Sequence, residues 1–279
     1  MVQAAGNRHG SRSVGFDMEG PNPLAVGWSV LAALRVQRPR WSDVRPAPGP
    51  DAGGLGAILD EVRDHGVPAL PRLLDVLDEY TVDQAEVDPS ELSRNDALAF
   101  WLNLYNAGAL TLAGEAFATG EQSVLRLPGA FTRPFVAITG ESLSLNHIEH
   151  GKIRRFRDPR IHAALVCGSA SCPTLRYEPY EGNNLHSQLD DQTRSFLAAG
   201  GAVREGDELW LSRVFLWYGG DFVRPRRMPT FLPASGRRIA AAVDPWLSDD
   251  RRSWLGSGKR RIRFQPYDWG LACSVRKPV

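Results

Sequence analysis

The chain has 279 residues, of which 43% are hydrophobic and 23% charged, with a formal net charge of +1. That length and apolar content suffice for a full core, while the near balance of charge argues against a nucleic-acid or membrane-surface role, which needs a basic face that outweighs the acids. Three cysteines cannot all pair, and the N-terminus has neither a charged stretch leading into an apolar one nor a small-residue cleavage site, so a reducing cytoplasmic location is expected.

Residues 1–22 are polar and aperiodic and read as a disordered tail. Pro23 to Val36 has the pattern of a short amphipathic helix, and its apolar run Leu24 to Leu34, broken by Gly27 and Ser29, falls well short of the roughly 20 residues that a spanning helix needs. Four prolines and three glycines then fall within Gln37 to Gly54, a composition that resists regular structure. These features predict a tail and Pro/Gly-rich linker over 1–54, extended and exposed at 37–54, and a single catalytic-type domain over 55–279.

Leu55 to Tyr80 carries two helical patterns, the second with Leu70, Leu73, Leu74 and Leu77 on one face. Ser90 to about Phe117 is the longest predicted helix, and its run ALAFWLNLYNAGALTLAG is apolar around most of its circumference, which implies burial. Asn103 and Asn106 stand three apart on it. A buried amide without a partner costs about 1 to 3 kcal/mol, so each must either tie down neighbouring backbone or orient a catalytic group and donate to an oxyanion.

Pro134 to Ile138 and Ser142 to Leu145 flank Thr139-Gly140-Glu141, the pattern of a hairpin with a three-residue turn. Asn146 then caps a short helix, HIEHGKIRRF, on which His147 and His150 share a face. Arg160 to Cys167, RIHAALVC, reads as a compact strand running into the small-residue loop GSASCP, where free backbone N–H groups favour display of a reactive side chain. Asn184 to Ala199 is an amphipathic helix stopped by Gly200-Gly201, Glu208 to Phe215 alternates as a strand, and WYGGDF follows as a tight aromatic turn. Arg237 to Val243 reads as a last helix and Arg261 to Trp269 as a closing strand. Because helices and strands come in blocks, the pattern predicts an α+β fold, a helical N-terminal half packed on a small, mainly antiparallel sheet of the hairpin, RIHAALVC, ELWLSRVF and RIRFQPYDW.

The stretch Ser142 to Tyr177 concentrates three of the six histidines and two of the three cysteines, side chains that titrate, attack and bind metals near neutral pH. One reading is a thiol-dependent acyl transferase or hydrolase, with Cys167 as nucleophile, His150 as general base, Glu149 or Asn103 holding the imidazole, and Asn106 with the loop N–H groups receiving the oxyanion. Cys172 with His162 is the alternative pair. On that reading the partner is a small-molecule or peptide substrate, free or carrier-bound, with no cofactor, no nucleic acid and no membrane. Two other readings stay open: a zinc site using Cys167, Cys172, His150 and His162, and a non-enzymatic binding module whose Asn, His and Cys residues form a buried structural network. The enzyme reading predicts Cys167 sulfur within about 4 Å of a His150 nitrogen, with Asn103 or Asn106 lining the same pocket.

Taken together, AFWLNLYNA, IEHGKIR, DPRIHAALVCGSASCP and PYDW resemble the family catalogued as domain of unknown function 547, found in bacteria and plants, over roughly residues 90–270. The family pattern falls on Phe100, Trp101, Asn103, Tyr105 and Asn106, on Glu149, His150 and Arg154, on Cys167, Gly168, Ser171 and Pro173 with Arg176 beyond, and on Tyr267, Asp268 and Trp269. The resemblance implies a shared site in which Trp101, Tyr105, Arg154, Ser171 and Arg176 are candidates for substrate binding. His147 stands where the family usually has an acidic residue, and Cys172 and His162 match its bacterial form, plant members having serine in place of Cys172. The order of elements is also loosely similar to papain-like hydrolases and transglutaminases.

Overall fold

In the computed structural model, which describes residues 23–44 and 46–276, the chain opens with helices α1 (Pro23–Ala33), α2 (Gly53–His65), α3 (Leu74–Ala85) and α4 (Arg94–Ala118), with a 3₁₀ segment, Val67–Leu73, before α3. The expected tail over 1–22 lies outside the described residues. Helix α4 starts where Ser93 accepts the Asp96 N–H at 3.1 Å, and every residue from Ala97 to Leu110 is buried. Its apolar circumference requires neighbours on all sides. The Val67–Leu73 segment and α3 supply one side, and the residues flanking the hairpin strands supply another, closely enough that a Cβ at Gly108 would meet Leu145 at 2.6 Å and Phe135 at 2.8 Å.

Strands β1 (Val136–Ile138) and β2 (Glu141–Leu143) pair antiparallel, with Ile138 opposite Glu141. The turn is therefore two residues, Thr139 at φ 49° and Gly140 at φ 79°, one shorter than the sequence suggests, because two successive positive φ angles match the twist of the flanking strands. A π-helical turn, His147–Lys152, and a 3₁₀ turn, Ile153–Phe156, follow.

RIHAALVC is not a strand. Ile161–Ala164 forms a single helical turn, α5, started by Asp158, whose carboxylate accepts the Arg160 N–H at 3.0 Å, and only Leu165–Cys167 is extended. A short apolar run fits a buried helix and a buried strand equally, and the Asp-Pro start decides for the helix. The chain continues through α6 (Leu185–Phe196), β3 (Ala202–Glu205), β4 (Glu208–Leu211), α7 (Arg213–Trp217), α8 (Gly219–Val223), α9 (Gly236–Val243), α10 (Asp249–Gly256) and β5 (Arg261–Phe264). ELWLSRVF is thus half strand, since Ser212 accepts the Val214 N–H at 3.3 Å and caps α7, and the expected aromatic turn WYGGDF is two short helices meeting at Tyr218.

The architecture is α+β, with the strands in two separate sheets rather than one. The hairpin stands alone, and β3-β4-β5 form the other sheet, antiparallel between β3 and β4 but parallel between β4 and β5. Two apolar cores result, a large one around α4 and a smaller one where α7, α8, α9 and α10 cover the three-stranded sheet. Among the described residues no helix is long and apolar enough to cross a membrane.

From Gln37 to Ala52 the described backbone has no helix and runs across the surface, held by Ser42 N–H to the Leu92 carbonyl at 2.7 Å and Ala47 N–H to the Glu91 carbonyl at 2.8 Å. Lys152 Nζ donates to the Gln37 carbonyl at 2.8 Å, Arg155 to the Leu34 carbonyl at 2.8 Å, and Trp41 packs on Phe156. Gly151 lies under the end of α1 that leads into this strap, where a Cβ would collide with Val36 and the Ala33 carbonyl. Gly151→Ala should lower stability by about 1 to 3 kcal/mol by overpacking and make residues 37–52 the first cleaved in limited proteolysis. Gly256→Ala, where a Cβ meets nothing within 4 Å, is the control that should match the wild type in both assays.

Candidate functional site

The π-helical turn His147–Lys152 places the adjacent residues Glu149 and His150 both inside the protein, at 8% and 5% exposure. A wide turn of this kind redirects side chains that an α-helix would splay apart. Glu149 accepts hydrogen bonds from Tyr105 Oη of α4 at 3.2 Å and from Tyr218 Oη at the α7–α8 junction at 2.7 Å. Burial pushes its carboxyl up, but the His150 ring, the Tyr218 hydroxyl, His162 and Arg154 outweigh that and hold it below its ordinary range. Burial, and then the Glu149 charge, raise the hydroxyls of Tyr105 and Tyr218 in turn, so both stay protonated as donors.

His150 Nδ1 lies 3.3 Å from an Arg154 guanidinium nitrogen and 3.5 Å from Glu149 Oε1. A guanidinium only donates, so Nδ1 accepts and the ring proton is assigned to Nε2, which carries no hydrogen bond among the described residues. Burial lowers the His150 pKa to about 4 against the pull of Glu149, and Arg154 lowers it further, so the imidazole is neutral at pH 7.

Asp221 of α8, wholly buried, anchors the neighbouring charges. Its Oδ2 accepts from Arg154 Nε at 2.8 Å and His162 Nε2 at 2.9 Å, and its Oδ1 from the Thr230 N–H at 2.8 Å. Burial raises the carboxyl, yet His162 and Arg154 bring it down to about 2. The His162 ring stacks on Tyr218 with centroids 3.9 Å apart. Arg154, 2% exposed, also donates to the Thr230 carbonyl at 3.1 Å.

The sulfurs lie on the loop after Leu165–Cys167. Cys167 and Cys172 form a disulfide with Cα atoms 6.3 Å apart. Gly168, at φ 73°, lets the loop approach Ala113 of α4 and Val124 beyond it, which a Cβ would meet at 3.4 Å and 2.9 Å. Tyr267 Oη lies 3.3 Å from each sulfur and 2.9 Å from Ser169 Oγ, which is 3.1 Å from Cys167 Sγ. The Tyr267, Trp217 and Trp269 rings form a cluster, with the Tyr267 centroid 4.8 Å from Trp217 and 4.4 Å from Trp269 and the two tryptophans stacked at 5.6 Å. Burial raises the Tyr267 hydroxyl to about 12 against the Ser169 bond, with Asp268 and Glu149 adding to the rise. The field of the buried carboxylate thus reaches the hydroxyl that touches both sulfurs.

Among the described residues Cys167 Sγ has hydrogen-bond contacts with Ser169 and Tyr267, and His150 faces Glu149 and Arg154, with no hydrogen bond between Cys167 and His150. Ile161–Ala164 is a helical turn and not part of a strand, so Cys167 does not sit at the end of the strand that the sequence implies. Asn103 exchanges two hydrogen bonds with the Tyr180 backbone, both 2.9 Å, and Asn106 holds the Ala164 carbonyl at 3.0 Å and the Val166 N–H at 3.2 Å. Each amide therefore fixes a backbone segment, and Asn106 fixes the one leading into Cys167. Trp101 lies beneath the Lys152 ammonium, 5.6 Å from the ring centre, Ser171 Oγ accepts the Asp268 N–H at 2.9 Å, and Arg176 binds Glu178 and Asp191. His162 pairs with Asp221 rather than with Cys172. Among the described residues no group of three or more His, Cys, Asp or Glu is placed to hold a metal ion.

Sequence reasoning passed over Tyr218, Asp221, Ser169 and the role of Tyr267. A signal for Asp221 was present, since a lone acid within WYGGDF must find buried partners if that apolar stretch packs. Residues 89–197 match the model of a family described as a protein of unknown function, DUF547, the family that the motifs resemble. The matched stretch holds α4, Glu149, His150 and both loop cysteines, while Tyr218, Asp221 and Tyr267 lie beyond it. No curated protein and no solved structure matches the chain.

The folded protein binds the His150 proton only near pH 4, whereas an unperturbed histidine binds it near 6.5. Acidification through that window therefore favours the unfolded chain, and the stability present above pH 6.5 should fall by about 3 kcal/mol on reaching pH 4 from this group alone. Thermal melts should show that loss in the wild type and a shallower one in His150→Gln; equal slopes would contradict the burial of a neutral imidazole.

Proposed function

We propose that the protein is a thiol-dependent acyl transferase or hydrolase, acting on an ester, thioester or amide of a small molecule or peptide, free or carrier-bound, with Cys167 as nucleophile once its bond to Cys172 is reduced. The observation that carries this reading is Tyr267 Oη, 3.3 Å from both sulfurs, placed with Ser169 Oγ to donate to Cys167 once the bond is reduced. A reducing cytoplasm would keep the thiol available.

On reduction, Ser169 and Tyr267 offer hydroxyl donors to Cys167, and donors to the charged form raise the thiolate fraction. The thiolate attacks the acyl carbon, and the carbonyl electron pair moves onto oxygen. Collapse of that intermediate breaks the bond to the leaving group, which takes up a proton, and leaves a thioester on Cys167. Water or a second nucleophile then attacks the thioester and returns the thiol. His150, neutral with its proton on Nε2, suits donation to the oxyanion or leaving group better than removal of the thiol proton. Arg154 and Glu149 position its ring, and Asn106 positions the backbone before Cys167. The fully partnered His162–Asp221–Arg154 group favours a second reading, in which the whole network is structural and the protein binds without turnover.

Intact mass and peptide mapping after incubation with a panel of small aryl esters and thioesters separate the two. The reduced protein should gain one acyl group on Cys167, the oxidised protein none, and Cys172→Ala should acylate without added reductant. His150→Gln should slow acylation about 100-fold while the rate of iodoacetamide labelling changes little. Absence of an adduct, or an adduct on Cys273 instead, would overturn the enzyme reading.

A further inference from the structure

Helix α1 carries no charged residue, yet it lies at the surface and turns an apolar side to solvent. Val30 and Ala33 are buried, and the helix packs on the π-helical turn His147–Lys152, whereas Trp28 is 71% and Leu31 52% exposed and Ala32 is open as well. Helical bonding runs past Ala33, with Leu34 N–H to the Val30 carbonyl at 3.1 Å and Arg35 N–H to the Ala32 carbonyl at 3.0 Å. At about 100° per residue, Trp28, Leu31, Ala32 and the exposed Arg35 therefore share one stripe. This inverts the usual arrangement of a surface helix, whose apolar stripe faces the core.

Positive charge gathers at the C-terminal end of that stripe. No Asp or Glu occurs from Pro23 to Ser42, Arg35, Arg38 and Arg40 are all exposed, and among the described residues none of the three forms an ion pair. Arg155 donates to the Leu34 carbonyl at 2.8 Å, which brings it to the same helix end, and burial and then the Arg38 charge lower its guanidinium. Glu141, which reaches the strap, is already bound by Lys152 and the Gln37 N–H. The net charge of +1 over the whole chain thus conceals a local cationic excess.

We propose that α1 and the arginines at its end form a peripheral docking surface for an anionic lipid bilayer. Trp28 and Leu31 enter the interfacial layer, where an indole is favoured, and the guanidiniums meet the phosphate and carboxylate groups of the lipid heads. A nucleic acid would match the charge but leave Leu31 without an apolar partner. With 11 residues α1 lies on the bilayer and not across it. The surface is one layer outside the turn that carries Glu149 and His150, since a Cβ at Gly151 of that turn would collide with the Ala33 carbonyl. Docking therefore holds the candidate site close to the membrane, and it does not depend on the acyl-transfer reading.

The test is co-sedimentation of the full-length protein with vesicles of phosphatidylcholine alone or of phosphatidylcholine mixed with phosphatidylserine. The wild type should bind the mixed vesicles about 100-fold more strongly, about fivefold for each of three arginines, and should be released by high salt. Arg38→Gln should weaken that binding about fivefold and Trp28→Ala about tenfold. Val44→Ala, which removes an apolar side chain that is 79% exposed outside the helix, should bind as the wild type does. All three side chains are exposed, so the variants should melt with the wild type. Failure to bind either vesicle, equal binding to both, or binding that Trp28→Ala leaves unchanged would each overturn the proposal. So would a wild-type dimer that Trp28→Ala converts to monomer, since a second copy would then cover the face. No turnover is measured, so vesicle binding without an acyl adduct sinks only the acyl-transfer reading, and an adduct on Cys167 without vesicle binding sinks only this one.

Discussion

A carboxylate shut away from water, Glu149, sets the terms for the rest of this structure. Isolated in an apolar interior, its charge would cost several kcal/mol, and the protein meets that cost with hydroxyls drawn from elements far apart in sequence. Tyr105 comes from α4 in the large core, and Tyr218 from the α7–α8 junction in the small one. The carboxylate therefore fastens the two cores together at one point. Arg154 and Asp221 complete the arrangement, since the guanidinium that faces His150 is itself held by a carboxylate with no exposure at all.

Those same contacts give the site its chemistry. Enclosure by α4, α8 and the π-helical turn keeps His150 neutral, and the guanidinium beside it assigns the ring proton to the open nitrogen. Tyr218 carries the stacked His162 on its face while donating to Glu149, so the structural and functional parts of the network cannot be changed independently. Tyr267 lies in the field of the carboxylate and touches both sulfurs, and Trp217 and Trp269, stacked on each other, pack against its ring.

Local pattern made much of the fold legible. The all-round apolar run of α4, the hairpin and the amphipathic α6 each declare themselves in a dozen or so residues. RIHAALVC did not, because a short, mostly apolar run fits a buried helix or a buried strand and only Asp158 and Pro159 before it decide. The parallel pairing of β4 with β5 was hidden for another reason: about fifty residues separate the strands, and register over that distance is set by packing rather than by local pattern. At the site, the sequence brought out Cys167, His150, Glu149 and the two asparagines, all within elements of strong local pattern. It did not bring out Tyr218 and Asp221, whose importance lies in what they meet across the fold.

The central claim is that the sulfur pair and the buried carboxylate form one electrostatic unit, and the pH profile of Cys167 alkylation in the reduced protein tests it most directly, wild type beside Glu149→Gln. Glutamine keeps the shape and an acceptor oxygen for one tyrosine, turns its amide NH2 toward the other hydroxyl, which can accept, and removes the charge. If the carboxylate field reaches the sulfur through Tyr267, the variant stabilises the thiolate and its inflection moves to lower pH. Superimposable profiles would show that Glu149 and Cys167 act separately, and the site would have to be divided in two.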